Sequence, residues 1–182
     1  MLKTDLSTYN NDWYQPGNPL KRLSWYVVNA LFFVNPLNLS SGLKVLLLKM
    51  FGAKIGKGVV IKPGVNIKYP WKLTIGDFSW IGEKVWIDNL GEVTIGSNVC
   101  VSQGVMLLCG NHNYKKPSFD LIVGNITVED GAWVGAKSVV CPGIVLKEHS
   151  VLAVNSVATR DLGANGIYQG NPAVLVRNRI IE

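Results

Sequence analysis

Aliphatic residues recur at every sixth position through the middle of this chain. They fall at Ile55, Ile61 and Ile67, then at Ile75, Ile81 and Ile87, then at Ile95, Val101 and Leu107. After an interruption they return at Val128, Val134, Val140, Leu146 and Leu152, with Ala158 last. Glycine often follows directly, as at Gly56, Gly76, Gly82, Gly96 and Gly135. A small or β-branched residue often stands four positions on, as at Val59, Ser79, Val99, Ser138 and Ser156. A helix would not keep every sixth residue inside, and a half-buried strand would alternate at period two. The pattern predicts one short strand and one turn per six residues, with three such units making a triangular coil. Stacked coils pair their strands as a parallel ladder and bury a continuous aliphatic column.

The coil lengths agree with this. Ile55, Ile75 and Ile95 are spaced by 20 residues, three sixes plus two extra residues at one corner, near 72–74 and 91–94. The next interval, Ile95 to Val128, is 33 residues, so one coil carries a long insertion at 109–125; Val128 to Leu146 is 18. The pattern predicts an all-β solenoid of about five coils over 55–163, with a closing segment at 164–182 whose end folds back as a short strand.

The first 54 residues follow a different rule. Positions 1–18 are polar, with Asn10, Asn11, Pro16 and Gly17, and read as an extended arm. They lack the pattern of a signal peptide. Leu20, Leu23, Val27, Leu31 and Val34 then form a helical stripe that Pro36 stops. Ser40 and Ser41 can cap a second helix over 42–51, which Gly52 ends. Both helices are unusually apolar and are flanked by Lys21, Arg22, Lys44 and Lys49. Such a stripe ordinarily packs on its own domain or on another subunit; the alternative is a helix lying in a membrane interface.

Composition narrows the class. The 182 residues are 48% apolar and 16% charged, which excludes a disordered chain. The net charge is +6, with residues 1–54 holding six Lys/Arg against two Asp/Glu and residues 55–182 holding twelve against ten. A basic front suits an anionic ligand or an acidic membrane surface; no nucleic-acid partner is expected. Three sparse cysteines without a CxxC are no disulfide framework and suit a reducing cytoplasm, including the inner face of its membrane.

An insertion that breaks a regular solenoid is where chemistry is expected. Here it holds His112, one of two histidines. An imidazole suits proton removal near neutral pH. The other, His149, falls on a turn position that faces solvent. Two distant histidines do not supply the three ligands of a catalytic zinc site, so no metal is expected.

The hexad pattern resembles the hexapeptide-repeat superfamily, whose fold is a left-handed parallel β-helix; the left hand comes from that resemblance. The stretch V-T-I-G-S-N-V-x-V-S-Q-G-V-x-L-L-C-G-N-H, ending at His112, resembles the maltose and galactoside O-acetyltransferases, as do N-I-T-V-E-D-G-A-W-V-G-A-K-S-V-V-C-P-G-I-V-L from Asn125 and G-N-P-A-x-x-V-R from Gly170 to Arg177. F-G-A-K-I-G-K-x-V-V-I-x-P, Y-P-W-K-L-T-I-G-D and L-G-E-V-T-I-G are similar to the colanic acid biosynthesis acetyltransferases over nearly the whole chain.

The resemblance implies acetyl-CoA as co-substrate, a sugar hydroxyl as acceptor and direct transfer in a ternary complex, with His112 as general base. It also implies a homotrimer with active sites between subunits. For coenzyme A it points to Trp133 and Ala136 beside the pantetheine arm, and to Thr159, Arg160 and Arg177 near the nucleotide; Val174 stands where the galactoside enzymes have an arginine. Asp88 and Asn89, one coil before His112, are candidates for the acceptor hydroxyls or plain turn residues. Two other readings stay open: an acyl-enzyme on Cys109, three residues before His112, and a solenoid scaffold or carbohydrate-binding protein without catalysis.

Overall fold

The computed structural model describes residues 3–182; Met1 and Leu2, the start of the polar arm, lie outside the described residues. Each predicted hexad forms a two- or three-residue strand followed by a turn, and the strands stack into three parallel sheets. The first face holds Lys54–Ile55, Leu73–Ile75, Val93–Ile95, Ile126–Val128 and Val145–Leu146. The second runs from Val60–Ile61 through Trp80–Ile81, Cys100–Val101, Trp133–Val134 and Val151–Leu152 to Gly166–Gly170. The third holds Asn66–Ile67, Trp86–Asp88, Met106–Leu108, Val139–Val140 and Val157–Ala158. Gly166–Gly170 adds a strand beyond five complete triangles, so the solenoid has about six turns rather than about five.

Register explains the sixfold spacing. Ile55 pairs with Ile75 and Ile75 with Ile95; Val134 lies between Val101 and Leu152. These side chains are buried and form one continuous core. The turns need left-handed backbone at the fourth residue of each six, and Phe78, Lys84, Asn98, Lys137, His149 and Asn155 all have φ between 55° and 58°. His149 is therefore a turn residue, although half-buried rather than fully in solvent. Ser79, Ser138 and Ser156 at the fifth position are buried and bond the neighbouring coil: Ser79 Oγ donates to Gly96 O at 2.7 Å and accepts from Val99 N–H at 3.0 Å. The extra corner residues fall slightly earlier than expected, in a 3₁₀ turn at Pro70–Lys72 and before Val93–Ile95.

Two helices, α1 (Pro19–Val28) and α2 (Ser41–Met50), cover the open first coil. Asn18 caps α1 and Ser40 caps α2. After Val28 the winding loosens to a π-type segment, Asn29–Val34. Trp25, Phe33 and Leu48 turn into the core, and the Trp25 indole N–H donates to Ile67 O at 2.7 Å. The stripe of Leu20, Leu23, Val27, Leu31 and Val34 does not pack on the domain. All five residues are exposed, because the aromatic residues between them face the coil instead. At the other end Ala173–Asn178 returns antiparallel to Gly166–Gly170, earlier than the fold-back expected near the last residues.

Where glycine follows the inward residue, at Gly56, Gly76, Gly82, Gly96 and Gly135, the next coil leaves no room for a side chain. A Cβ on Gly82 would lie 2.6 Å from backbone atoms of Ser102 and Gln103 in the next coil. Gly82→Ala is expected to lose about 1–3 kcal/mol in urea unfolding. Gly42→Ala, in α2 with nothing within 4 Å, is expected to hold or gain stability.

Candidate active site

The insertion is not an irregular loop. Gly110–His112 and Leu121–Val123 pair as an antiparallel hairpin that springs from the prism edge between the third and first faces. His112 lies opposite Leu121 and is half-buried. Its Nδ1 is 2.9 Å from Phe119 O. A carbonyl can only accept, so Nδ1 carries the hydrogen, and in the neutral ring Nε2 keeps a free lone pair. The imidazole also stacks on the Phe119 ring, with centroids 4.4 Å apart and planes 8° from parallel. Phe119 itself has φ 52°, a left-handed conformation that costs an aromatic residue about 1–3 kcal/mol. That strained residue fixes the imidazole by both its carbonyl and its ring.

Asp88 ends its strand opposite Leu108, at the root of the hairpin. Its carboxylate pairs with Lys68 Nζ at 2.8 Å, and its other oxygen lies 3.9 Å from where a Cβ on Gly110 would stand. Residues two apart on a strand share a face, so Asp88 lies on the hairpin face from which His112 projects. Asn89 is placed differently. It is fully buried, accepting from Tyr69 N–H at 2.9 Å and donating to Tyr69 O at 2.6 Å. Its amide is consumed in tying two coils together, and it does not face an acceptor.

The coenzyme A candidates are gathered by strand register. Across the second face Trp133 pairs with Val151, Val151 with Ile167, and Ile167 with Arg177. Trp133 and Arg177 are exposed in one row, three strand spacings or about 14 Å apart. The Trp133 indole N–H donates to Ser102 Oγ at 2.9 Å. Ala136 O accepts from Asn155 N–H at 2.9 Å, while the Ala136 N–H has no partner among the described residues. Thr159 and Arg160 are exposed just beyond Val157–Ala158, where the third face ends. Val174 opposes Gln169 and is exposed, so no cation occupies that position. Trp133 stands on the second face and His112 rises from the edge between the other two. One chain therefore holds His112 and the candidate cofactor row on different sides of the prism.

The polar arm is a component that the sequence left without a role. Asp5 N–H donates to Pro117 O at 2.8 Å, the Tyr9 ring centroid is 6.0 Å from that of His112, and Tyr14 OH donates to Leu90 O at 2.8 Å. Lys72 Nζ donates to the same carbonyl at 2.6 Å. The arm thus braces the hairpin, and Asn10 and Trp13 close a hollow of about 400 Å³ against Asn113, Lys116 and Asp120. The only signal in the sequence was the run of aromatic residues Tyr9, Trp13 and Tyr14 in an otherwise polar arm.

Cys109 is buried in the core, and that burial pushes its thiol up to about 11. A buried thiol held neutral in this way does not fit the acyl-enzyme reading. In native protein at pH 8, Cys109 is expected to resist alkylation that reaches Cys100 and Cys141; its labelling at the rate of an unfolded thiol would contradict this placement.

No protein-family profile matches the chain. The colanic acid biosynthesis acetyltransferase WcaF named in Escherichia coli is 37% identical over 167 residues, 92% of each chain. A galactoside acetyltransferase solved with coenzyme A superposes with a TM-score of 0.77 at 25% identity, over 88% of this chain and 81% of its own. A hexapeptide-repeat acetyltransferase from Vibrio cholerae, solved with acetyl coenzyme A, gives 0.80 at 21% identity, over 89% and 88%. Superposition at that level requires the same hand of coil.

Proposed function

The chain belongs to the colanic acid biosynthesis acetyltransferase family of hexapeptide-repeat acetyltransferases, and on that premise we propose direct transfer of acetyl from acetyl-CoA to a sugar hydroxyl, with His112 as general base. The observation that carries the base assignment is the bond from His112 Nδ1–H to Phe119 O, which leaves Nε2 free to accept a proton. As the hydroxyl oxygen attacks the thioester carbonyl, Nε2 takes its proton. The tetrahedral adduct collapses, the carbon–sulfur bond breaks, and the proton passes to the departing thiolate of coenzyme A. The carbonyl of Phe119 stabilises the transient imidazolium without taking its proton.

Asp88 fits an acceptor role, because its carboxylate lies at the foot of the same hairpin face. For acetyl-CoA we assign the outward row from Trp133 to Arg177, with the free N–H of Ala136 for the pantetheine arm. Thr159 and Arg160 complete the nucleotide end. This row lies away from His112 within one chain, which supports a homotrimer in which one subunit's hairpin meets the cofactor row of the next. The product is an O-acetylated sugar destined for a surface or exported polysaccharide.

Coenzyme A release against a panel of sugars and nucleotide sugars tests this reading. His112→Ala is expected to lower kcat by about 10²- to 10⁴-fold; undiminished release would remove His112 from the reaction. Trp133→Ala is expected to raise KM for acetyl-CoA about tenfold, a loss near 1.4 kcal/mol, with less change in kcat. Phe119→Ala keeps the carbonyl but loses the stacked ring, and is expected to lower kcat with KM for acetyl-CoA unchanged.

A further inference from the structure

From Trp13 to Gly76 the chain has no Asp or Glu and nine Lys or Arg. The other 118 residues carry nine cations and twelve carboxylates, so the whole positive excess lies in this one stretch. It comprises both helices and the first coil. Six of the nine cations, Arg22, Lys49, Lys54, Lys57, Lys62 and Lys68, are exposed.

The apolar stripe of α1 and its π-type extension points away from the coil, as do Leu46 and Met50 of α2. Between the helices, Leu37 and Leu39 are 85% and 77% exposed. The turn that carries them is tied to itself. Lys44 Nζ donates to Asn38 O at 2.7 Å, Asn38 Nδ2 to Phe32 O at 2.9 Å, and Leu37 N–H to Asn35 Oδ1 at 2.9 Å. Ser40 N–H donates to Asn38 Oδ1 at 3.1 Å. The side chain of Lys44 is fully buried to supply its bond. A turn that meets the N–H groups of Leu37, Asn38 and Ser40 and the Asn38 carbonyl internally, with its leucines projecting outward, suits an apolar surface, where each unmet polar group is costly.

We infer that this face docks the protein on an anionic membrane surface, with Leu37 and Leu39 as the inserted wedge and the surrounding cations against lipid phosphates. A twofold-related copy does not fit the same face, because a self-pairing contact would oppose the cationic stretch with itself. No helix among the described residues is long and apolar enough to cross a membrane, so the contact is peripheral. A cleft of about 730 Å³ opens beside this face, between Arg22, Tyr26 and Val34 of the helical layer and Lys68, Trp86 and Asp88 of the third face. Docking brings that cleft to the lipid surface. That it would then admit a sugar held at the membrane rests on the transfer reading; the docking itself does not.

Flotation of the full chain with vesicles tests docking without using activity. The protein is expected to float with equimolar phosphatidylcholine and phosphatidylglycerol, and about tenfold less with phosphatidylcholine alone or at high salt. Leu37→Glu with Leu39→Glu is expected to abolish flotation while melting temperature and sedimentation coefficient stay unchanged, since both residues are exposed. The double variant Val174→Glu with Ile180→Glu, at the far end of the chain, is expected to float as wild type. Three results would overturn the inference: failure of the wild type to float on anionic vesicles, equal flotation of the Leu37/Leu39 variant, or a change of oligomeric mass in that variant, which would assign the face to a second copy. His112→Ala is expected to float normally, so failure of the catalytic reading leaves docking intact, and the reverse.

Discussion

Everything in this molecule hangs on coil-to-coil register. Because each inward residue sits on its equivalent one turn away, the chain has a single aliphatic column and needs no other core. The same register forbids a side chain at Gly82 and sets left-handed turns at Phe78, Lys84 and Asn98. It also sets which distant residues share an outward row. Trp133 and Arg177 lie far apart in sequence and in one outward row, because Val151 and Ile167 stand between them in the ladder.

Against that regularity the hairpin is the one element free to be shaped by something other than stacking. It uses its freedom to fix an imidazole. Phe119 accepts a costly backbone conformation, and in return its carbonyl and ring hold His112 in one tautomer and one plane. The arm from Asp5 to Tyr14 adds a brace on the outside of the hairpin, tied at Pro117 and Leu90. A side chain held on a projecting hairpin needs such support to keep one orientation, since a hairpin springing from a solenoid has no core of its own.

Period and spacing made the solenoid legible from Ile55 to Ala158, and a single break in that period pointed to His112. Side-chain direction was not legible. Asn89 and Asp88 are adjacent, yet one is spent on the Tyr69 backbone and the other reaches the hairpin, a difference set by strand alternation at a coil corner. The helix stripe misled for a related reason. Leu20, Leu23, Val27, Leu31 and Val34 follow helical spacing, but Trp25 and Phe33 outcompete them for the coil because flat rings cover the end of the column and the Trp25 N–H reaches Ile67 O. The brace formed by the arm depends on contacts with Pro117 and Leu90, roughly 80 to 110 positions away, which no local pattern encodes.

The central claim is that His112 is held as the Nδ1–H tautomer with Nε2 bare. Nitrogen-15 NMR of the histidine side chains measures this directly, with a His149→Gln variant to assign the two rings. The account predicts a protonated Nδ1 and an unprotonated Nε2 for neutral His112, whether or not acetyl-CoA is present. A neutral ring with its hydrogen on Nε2 would leave no base facing the acceptor and would contradict the account.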